Sequence, residues 1–250
     1  MPFKVVIPAR FGSTRLPGKP LLPIAGRLLI EWVYDIARGS GAEEVLIATD
    51  HERVATAARA FGAAVLMTSA QHQSGTDRIA EVARLRGWRA TTIVVNVQGD
   101  EPLLPPALIG QVAALLQSCP TADLATLSTP IETQAEFVDP NAVKVVSGAA
   151  GRALYFSRAP IPYERDASAD GRPAGFGNAQ RHLGIYAYRV AALIRLSALA
   201  PVVVEQTEKL EQLRALHHGF DIRVAQACEK SGPDVNSPAD LQRVAQLLRR

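Results

Sequence analysis

The chain has 250 residues, 48% of them hydrophobic and 20% charged, with 18 glycines and 17 prolines. These values describe a globular chain long enough to bury a core without disulfides, and they exclude a disordered, collagenous or small disulfide-framed protein. The formal net charge of +3 is mild; a solvated surface or an anionic small substrate accounts for it, and the lack of a basic stripe or aromatic stacking platform argues against nucleic-acid binding.

The N-terminus enters the β-branched run Phe3 to Ile7 directly, with no basic leader or cleavage site, and the run stops at Pro8. It reads as a buried parallel strand in a cytoplasmic protein. A polar, glycine-rich loop follows from Ala9 to Pro20. Leu28 to Ser40 then has helical spacing, with Leu29, Trp32, Val33 and Ile36 on one side and Gly41 as its stop. The alternation continues with a strand at Glu44 to Thr49, a helix at Glu52 to Phe61, a strand at Ala64 to Met67, a helix at Asp77 to Arg86, a strand at Thr92 to Val97 and a helix at Pro106 to Gln117. Such spacing predicts βαβ units, a mostly parallel sheet and helices on both faces.

The second half is less regular. Leu124 to Pro130, Ala142 to Val146, Ala153 to Phe156, His182 to Tyr188 and Ile222 to Ala225 read as strands, and Val190 to Ala198, Lys209 to His218 and Pro238 to Arg249 as helices. Arg165 to Asn178, rich in Gly, Ala, Asp and Pro, reads as a long loop that covers a site or reaches a partner. Cys119 and Cys228 stand far apart in no CxxC pattern and read as buried packing residues. No apolar run reaches membrane-spanning length. No repeat or linker splits the chain, so residues 1–250 are expected to form one domain, with an extension around 142–178.

The loop Pro8-Ala9-Arg10-Phe11-Gly12-Ser13-Thr14-Arg15-Leu16-Pro17-Gly18-Lys19-Pro20 carries the most chemistry. It leaves the carboxyl end of a strand, where open parallel sheets bind ligands. Glycines let backbone N–H groups approach phosphate, and the arginines and lysine neutralise its charge. Five residues separate Gly12 from Gly18 and Pro20 follows Lys19, so this is not a Walker loop, and no GxGxxG pattern is present. After the most apolar strand comes Val97-Gln98-Gly99-Asp100-Glu101-Pro102. An Asp there is placed either to hold a divalent cation with phosphate oxygens or to cap the next segment.

PARFGSTRLPGKPL, HQSGTDRIAEV and NVQGDEP together resemble the motifs of the CMP-Kdo synthetases, a family of GT-A-like nucleotidyltransferases; Kdo is the sugar acid 3-deoxy-manno-octulosonate. The resemblance spans Met1 to about Leu241. It implies a three-layer α/β/α, Rossmann-like nucleotidyltransferase (GT-A-like) fold on a mixed, mostly parallel sheet, and transfer of CMP from CTP to Kdo for lipopolysaccharide biosynthesis, with magnesium as cofactor. By position it makes Arg10, Ser13, Arg15 and Lys19 phosphate contacts, with Arg10, Lys19 and Asp100 as the catalytic set. Ser74 and Arg78 lie over base and ribose, although Ser74 or Thr76 could equally cap a helix. Gln98 lies near both nucleotide and sugar. Arg158, in YFSRAPIP, meets the sugar carboxylate, and His182, Tyr186, Glu211 and Gln212 meet its hydroxyls. Asp100 binds magnesium. The family's second metal anchor is an Asp where this chain has Asn236, in Asp234-Val235-Asn236-Ser237-Pro238; Asp234 takes over or shares the task, or Asp234 and Asn236 only cap the helix after Pro238. The resemblance also implies a homodimer with 142–178 at the interface, CTP and Kdo as partners, and neither nucleic acid nor membrane. The rival readings are a cytidylyltransferase for a related sugar acid (8-amino-Kdo or a sialic acid) and a non-catalytic nucleotide-binding regulator.

Overall fold

The computed structural model describes residues 2–12, 16–165 and 176–249. Ser13, Arg15 and most of the expected loop from Arg165 to Asn178 lie outside the described residues. Eleven strands are described: β1 (Lys4–Pro8), β2 (Pro23–Ile24), β3 (Arg27–Leu28), β4 (Glu44–Thr49), β5 (Ala64–Met67), β6 (Ile93–Asn96), β7 (Leu124–Pro130), β8 (Lys144–Ser147), β9 (Ala153–Ser157), β10 (Gln180–Arg189) and β11 (Ile222–Gln226). The described helices are α1 (Leu29–Arg38), α2 (Glu52–Ala60), α3 (Gly75–Leu85), α4 (Pro106–Ser118), α5 (Gln134–Val138), α6 (Val190–Ser197), α7 (Val203–Glu208), α8 (Gln212–His217) and α9 (Pro238–Leu247).

The main sheet runs β5-β4-β1-β6-β10-β7-β11. Along that path only β10 is antiparallel to its neighbours, β6 and β7, while β1, β4, β5 and β6 pair in parallel and β11 runs parallel to β7. Strand alternation builds two cores. Val5, Ile7, Ile47, Val95 and Val97 pack with α1, α2 and α4. Val6, Leu46, Ala48 and Val94 pack on the other face with α3, α6 and α8. The result is the expected three-layer arrangement, and the strand ends following Pro8 and Asn96 emerge side by side because β1 and β6 are neighbours.

Three local expectations change. The helix expected over Leu28 to Ser40 is shorter, ending at Arg38; the Gly39 N–H reaches Asp35 O, Ser40 Oγ donates to Ala37 O at 2.6 Å, and Gly41 turns left-handed only afterwards. The helix expected over Lys209 to His218 shortens to α8 (Gln212–His217), and an unexpected short helix, α7, precedes it and ends where Lys209 turns left-handed (φ 53°). The last strand before α6 starts earlier than expected and carries an irregularity between Leu183 and Tyr186, filled by the buried Thr126 hydroxyl, which bonds Leu183 O and Ile185 O. In the 142–178 region, β8 and β9 form an antiparallel pair that joins the sheet through the start of β10.

A third apolar cluster fixes the C-terminal segment. Leu16, Ile24, Leu29, Val235 and Val244 are buried together, and the Val235 N–H donates to Asp100 O at 2.9 Å. Burying each such side chain stabilises by roughly 1.5–3 kcal/mol, enough together to hold 234–236 beside the ends of β1 and β6.

Candidate active site

The loop after β1 closes on itself. The Gly18 N–H donates to Phe11 O at 3.3 Å, and Gly18 adopts φ 67°, a conformation few side chains tolerate. Lys19 then begins a short 3-10 turn, Lys19–Leu21. Gly99, in the turn after β6, allows the second close approach: a Cβ there would lie 3.2 Å from Pro8 O. The two turns therefore converge. Lys19 Nζ lies 2.5 Å from Asp100 Oδ2 and 3.2 Å from Asn236 Oδ1, and Asn236 Nδ2 donates to Asp234 Oδ2. The capping alternatives fall away at the C-terminal stretch, since Ser237 with Asp240 caps α9. Asp100 does not cap α4 either, which has no side-chain cap.

Lys19, Asp100 and Asn236 border a cavity of about 300 Å³ lined also by Arg10, Ser74, Gly75, Arg78, Gln98 and Gly99. Ser74 is the N-cap of α3, accepting from the Asp77 N–H at 3.1 Å, so the first turn of the helix faces the cavity with its hydrogen-bond donors. Arg78 lines the same wall, but its guanidinium is turned away into the protein, pairing with Asp50 Oδ2 at 2.7 Å and with Thr68 Oγ1. It is 3% exposed. Arg78 is thus a wall residue of the cavity whose charged end is engaged by Asp50 and Thr68.

A second cavity, of about 230 Å³, opens beyond it and shares Gly75 and Gln98 with the first. His182, Tyr186, Glu211 and Gln212 line it, with Thr76, Asn96 and Tyr188. Buried Asn96 Oδ1 and Tyr186 Oη make no hydrogen bond to the protein, so each has unused bonding capacity beside the cavity. Burial raises the Glu211 carboxyl above its usual range, partly offset by hydrogen bonds from Thr76 and Ser74. Burial also raises the Tyr186 phenol. A wider space of about 990 Å³ adjoins both cavities on the side of Glu101, Glu136 and Arg181.

His182 is held neutral. Its ring packs between Phe156 and Tyr186, with centroids 5.0 and 5.2 Å away, and burial lowers its pKa to about 3. The single Thr126 hydroxyl proton goes to a carbonyl, Ile185 O at 2.7 Å or Leu183 O at 3.1 Å. Nε2 of His182, 2.9 Å from the same oxygen, must therefore donate, which leaves Nδ1 as an acceptor. Because the folded pKa lies below the unfolded value near 6.5, the unfolded chain binds the extra proton first. Stability is full above about pH 6.5 and falls by up to about 1.4 kcal/mol per pH unit between there and about 3. His182→Gln should flatten that slope in urea titrations at pH 4 to 7; an unchanged slope would refute the neutral assignment.

Arg158 is not brought to either cavity. Its Nε donates to Glu208 O at 2.6 Å, its Nη1 to Pro140 O at 2.8 Å, and its backbone N–H to Glu208 Oε2. The expected carboxylate ligand is instead tied to backbone carbonyls between β9 and α7. Residues that sequence reasoning passed over include Thr76, Asn96, Thr126, Tyr188 and Glu101. Asn96 had a visible signal, as the polar residue in an apolar strand. Thr126 had none, because its bulge exists only once β7 and β10 pair.

A profile of the family described as Cytidylyltransferase matches residues 4–222. The chain is 53% identical over 249 residues to a 3-deoxy-manno-octulosonate cytidylyltransferase of Thioalkalivibrio sulfidiphilus, covering 100% of both chains, and 55% identical over 252 residues to one of Cellvibrio japonicus, covering 99% and 98%. It is also similar to a solved structure of CMP:2-keto-3-deoxy-manno-octonic acid synthetase complexed with CTP, with 42% identity, a TM-score of 0.90 and coverage of 100% and 99%.

Proposed function

The chain belongs to the cytidylyltransferase family, among the 3-deoxy-manno-octulosonate cytidylyltransferases, and on that premise we propose how its two joined cavities carry out the transfer. The enzyme moves CMP from CTP to Kdo, giving CMP-Kdo and pyrophosphate. The Kdo anomeric hydroxyl forms the new bond to the α-phosphorus of CTP, and the bond to the β-phosphate oxygen breaks. The observation that carries the assignment of roles is the pair of polar cavities meeting at Gln98 and Gly75, with the Lys19–Asp100 pair at the nucleotide end.

Arg10 and Lys19 hold the triphosphate, with Ser13 and Arg15 in the same loop. Lys19 stabilises the charge that develops as pyrophosphate departs, by a preorganised contact. Ser74 presents the α3 N-terminus to the nucleotide, and Gln98 orients both substrates at the junction. His182 accepts a sugar hydroxyl through Nδ1, and Tyr186, Glu211 and Gln212 complete the sugar pocket. No nucleophilic side chain is aligned for a covalent intermediate among the described residues.

The family implies magnesium. Asp100 Oδ2 and Asn236 Oδ1 already converge on one cation, the Lys19 ammonium. Asp100 and Asp234, together with burial, raise the neighbouring Glu101 carboxyl to about 8, burial being the larger cause. Oxygen ligands of this kind, few in number and completed by phosphate, suit a magnesium ion. Asp100 would hold it with Asp234 or the Asn236 carbonyl; when bound it polarises the α-phosphate and lowers the hydroxyl pKa. The same reading gives a cytoplasmic enzyme serving lipopolysaccharide biosynthesis and a homodimer; for the dimer alone, Leu154 and Tyr155 of β9, 59% and 40% exposed, offer an apolar contact surface. Among the described residues no helix is long and apolar enough to cross a membrane.

The test is pyrophosphate release with CTP and magnesium against Kdo, 8-amino-Kdo and sialic acid. Release with Kdo, abolished by a chelator, is expected to exceed the other two by at least ~10-fold, the discrimination a polar pocket readily supplies. CTP binding without pyrophosphate release for any of the three acids would point to a nucleotide-binding regulator, and preference for another acid would move the substrate assignment.

A further inference from the structure

Asp50, at the end of β4, lies outside every substrate role described above, yet its two oxygens face two different walls of the nucleotide cavity. Oδ2 accepts from Arg78 Nη2 at 2.7 Å on the α3 side. Oδ1 accepts from the Phe11 N–H at 3.3 Å on the side of the phosphate loop. Phe11 is the root of that loop, since its carbonyl accepts from the Gly18 N–H across the turn. Its ring is held from the β4–α2 turn and the start of α2: His51 stacks on it with centroids 4.1 Å apart and planes at 20°, and the Arg53 guanidinium lies 5.1 Å from its centroid. Gly18 sits against it, where a Cβ would meet the ring at 3.3 Å.

We propose that Asp50 is a positioning residue for nucleotide binding, joining the root of the phosphate loop to the α3 wall through one carboxylate. The inference rests on the reading of this cavity as the CTP site. The carboxylate accepts from both walls at once, which an amide cannot do: Asn at this position presents one acceptor and one donor, and so must lose either the Arg78 bond or the Phe11 bond. Arg78, 3% exposed, needs the charge beside it, so the Phe11 bond is the one released. Loop residues such as Arg10 and Lys19 then lose their fixed distance from α3, and ordering them falls on CTP itself. Kdo binds in the cavity beyond Gln98 and is unaffected by that ordering.

The experiment compares Asp50→Asn and Asp50→Glu with the wild-type enzyme in steady-state assays, with CTP affinity also measured by calorimetry without sugar. Glu keeps the charge for Arg78 but, one methylene longer, does not reproduce the bond to Phe11. Both variants are expected to raise the KM and Kd for CTP by about 10-fold, the cost of one charge-assisted hydrogen bond, with the KM for Kdo within twofold of wild type. Hydrogen exchange on the wild-type protein without CTP is expected to show the Phe11 amide protected, and this readout needs no variant to fold. Unchanged CTP affinity in either folded variant, equal rises for CTP and Kdo, or fast exchange at the Phe11 amide would each overturn the proposal. Wild-type enzyme that binds CTP yet releases no pyrophosphate would instead refute the reaction and leave the Asp50 test standing, because calorimetry and exchange do not depend on turnover.

Discussion

Asp100→Asn and Lys19→Ala are each expected to lower turnover by at least ~100-fold, the usual consequence of removing one preorganised charge from a reacting phosphate. The two substitutions act on opposite halves of one contact, 2.5 Å long. Asn at position 100 preserves shape and one carbonyl oxygen but removes the negative charge that draws a cation to the α-phosphate. Ala at position 19 removes the ammonium and leaves Asp100 facing the incoming triphosphate without a counter-charge, so CTP repulsion adds to the catalytic loss. In the Asp100 variant kcat and kcat/KM should fall together, as for an interaction made in the transition state, whereas the Lys19 variant should also show a higher KM for CTP. Circular dichroism should be unchanged, since both groups lie at a cavity rim rather than in either apolar core. Near-normal CMP-Kdo formation by either variant would remove the corresponding role.

Arg214→Ala is expected to destabilise the protein by about 3 kcal/mol, because it strands a buried carboxylate. The Arg214 guanidinium is bidentate on Glu205, with Nη2–Oε1 at 2.5 Å and Nε–Oε2 at 2.8 Å, and its Nη1 also reaches Leu199 O. The two side chains are only 10% and 11% exposed. This pair bolts α7 to α8 across the left-handed Lys209, and Glu211 and Gln212 leave that junction toward the sugar cavity. The loss should therefore be visible twice: as a lower urea midpoint with an unchanged m-value, and as a raised KM for Kdo while the KM for CTP holds. A variant as stable as wild type would show that the pair contributes no net stability. Equal effects on both KM values would show that α7 and α8 do not serve the sugar side alone.

Most of the sheet was legible from local pattern. Phe3 to Ile7, Glu44 to Thr49 and Thr92 to Val97 are short β-branched runs between turn residues, and strands form there because a pleated, doubly covered surface suits such side chains. The helix expected over Lys209 to His218 starts late, at Gln212, for a physical reason that periodicity cannot report. Lys209 adopts φ 53° to cap α7, while Leu210, ahead of α8, is buried in the same core as Leu213 of α8, so the apolar pattern runs past the true helix start. For the site, the loop and NVQGDEP motifs named Lys19 and Asp100, which the fold brings into contact, while Arg158 came from the family resemblance together with the suitability of an arginine for a carboxylate. An arginine suits a carboxylate, but it equally suits two backbone carbonyls, and only the packing of β9 against α7 selects between them.

By itself the amino-acid sequence determined which residues can act: a glycine-rich cationic turn after the first strand, a carboxylate after the strongest one, and the alternation that places both at the carboxyl edge of a sheet. These are local properties, set by side-chain type and by the two-residue period of a strand. The tertiary structure decided which of them meet. Lys19 and Asn236, 217 positions apart, touch because β1 lies beside β6 and because Val235 and Val244 bury against Ile24 and Leu29. Arg78 turned inward because a carboxylate from β4 lies behind it. Contacts of that kind depend on strand order and on which apolar surfaces find each other, and no window of neighbouring residues contains that information.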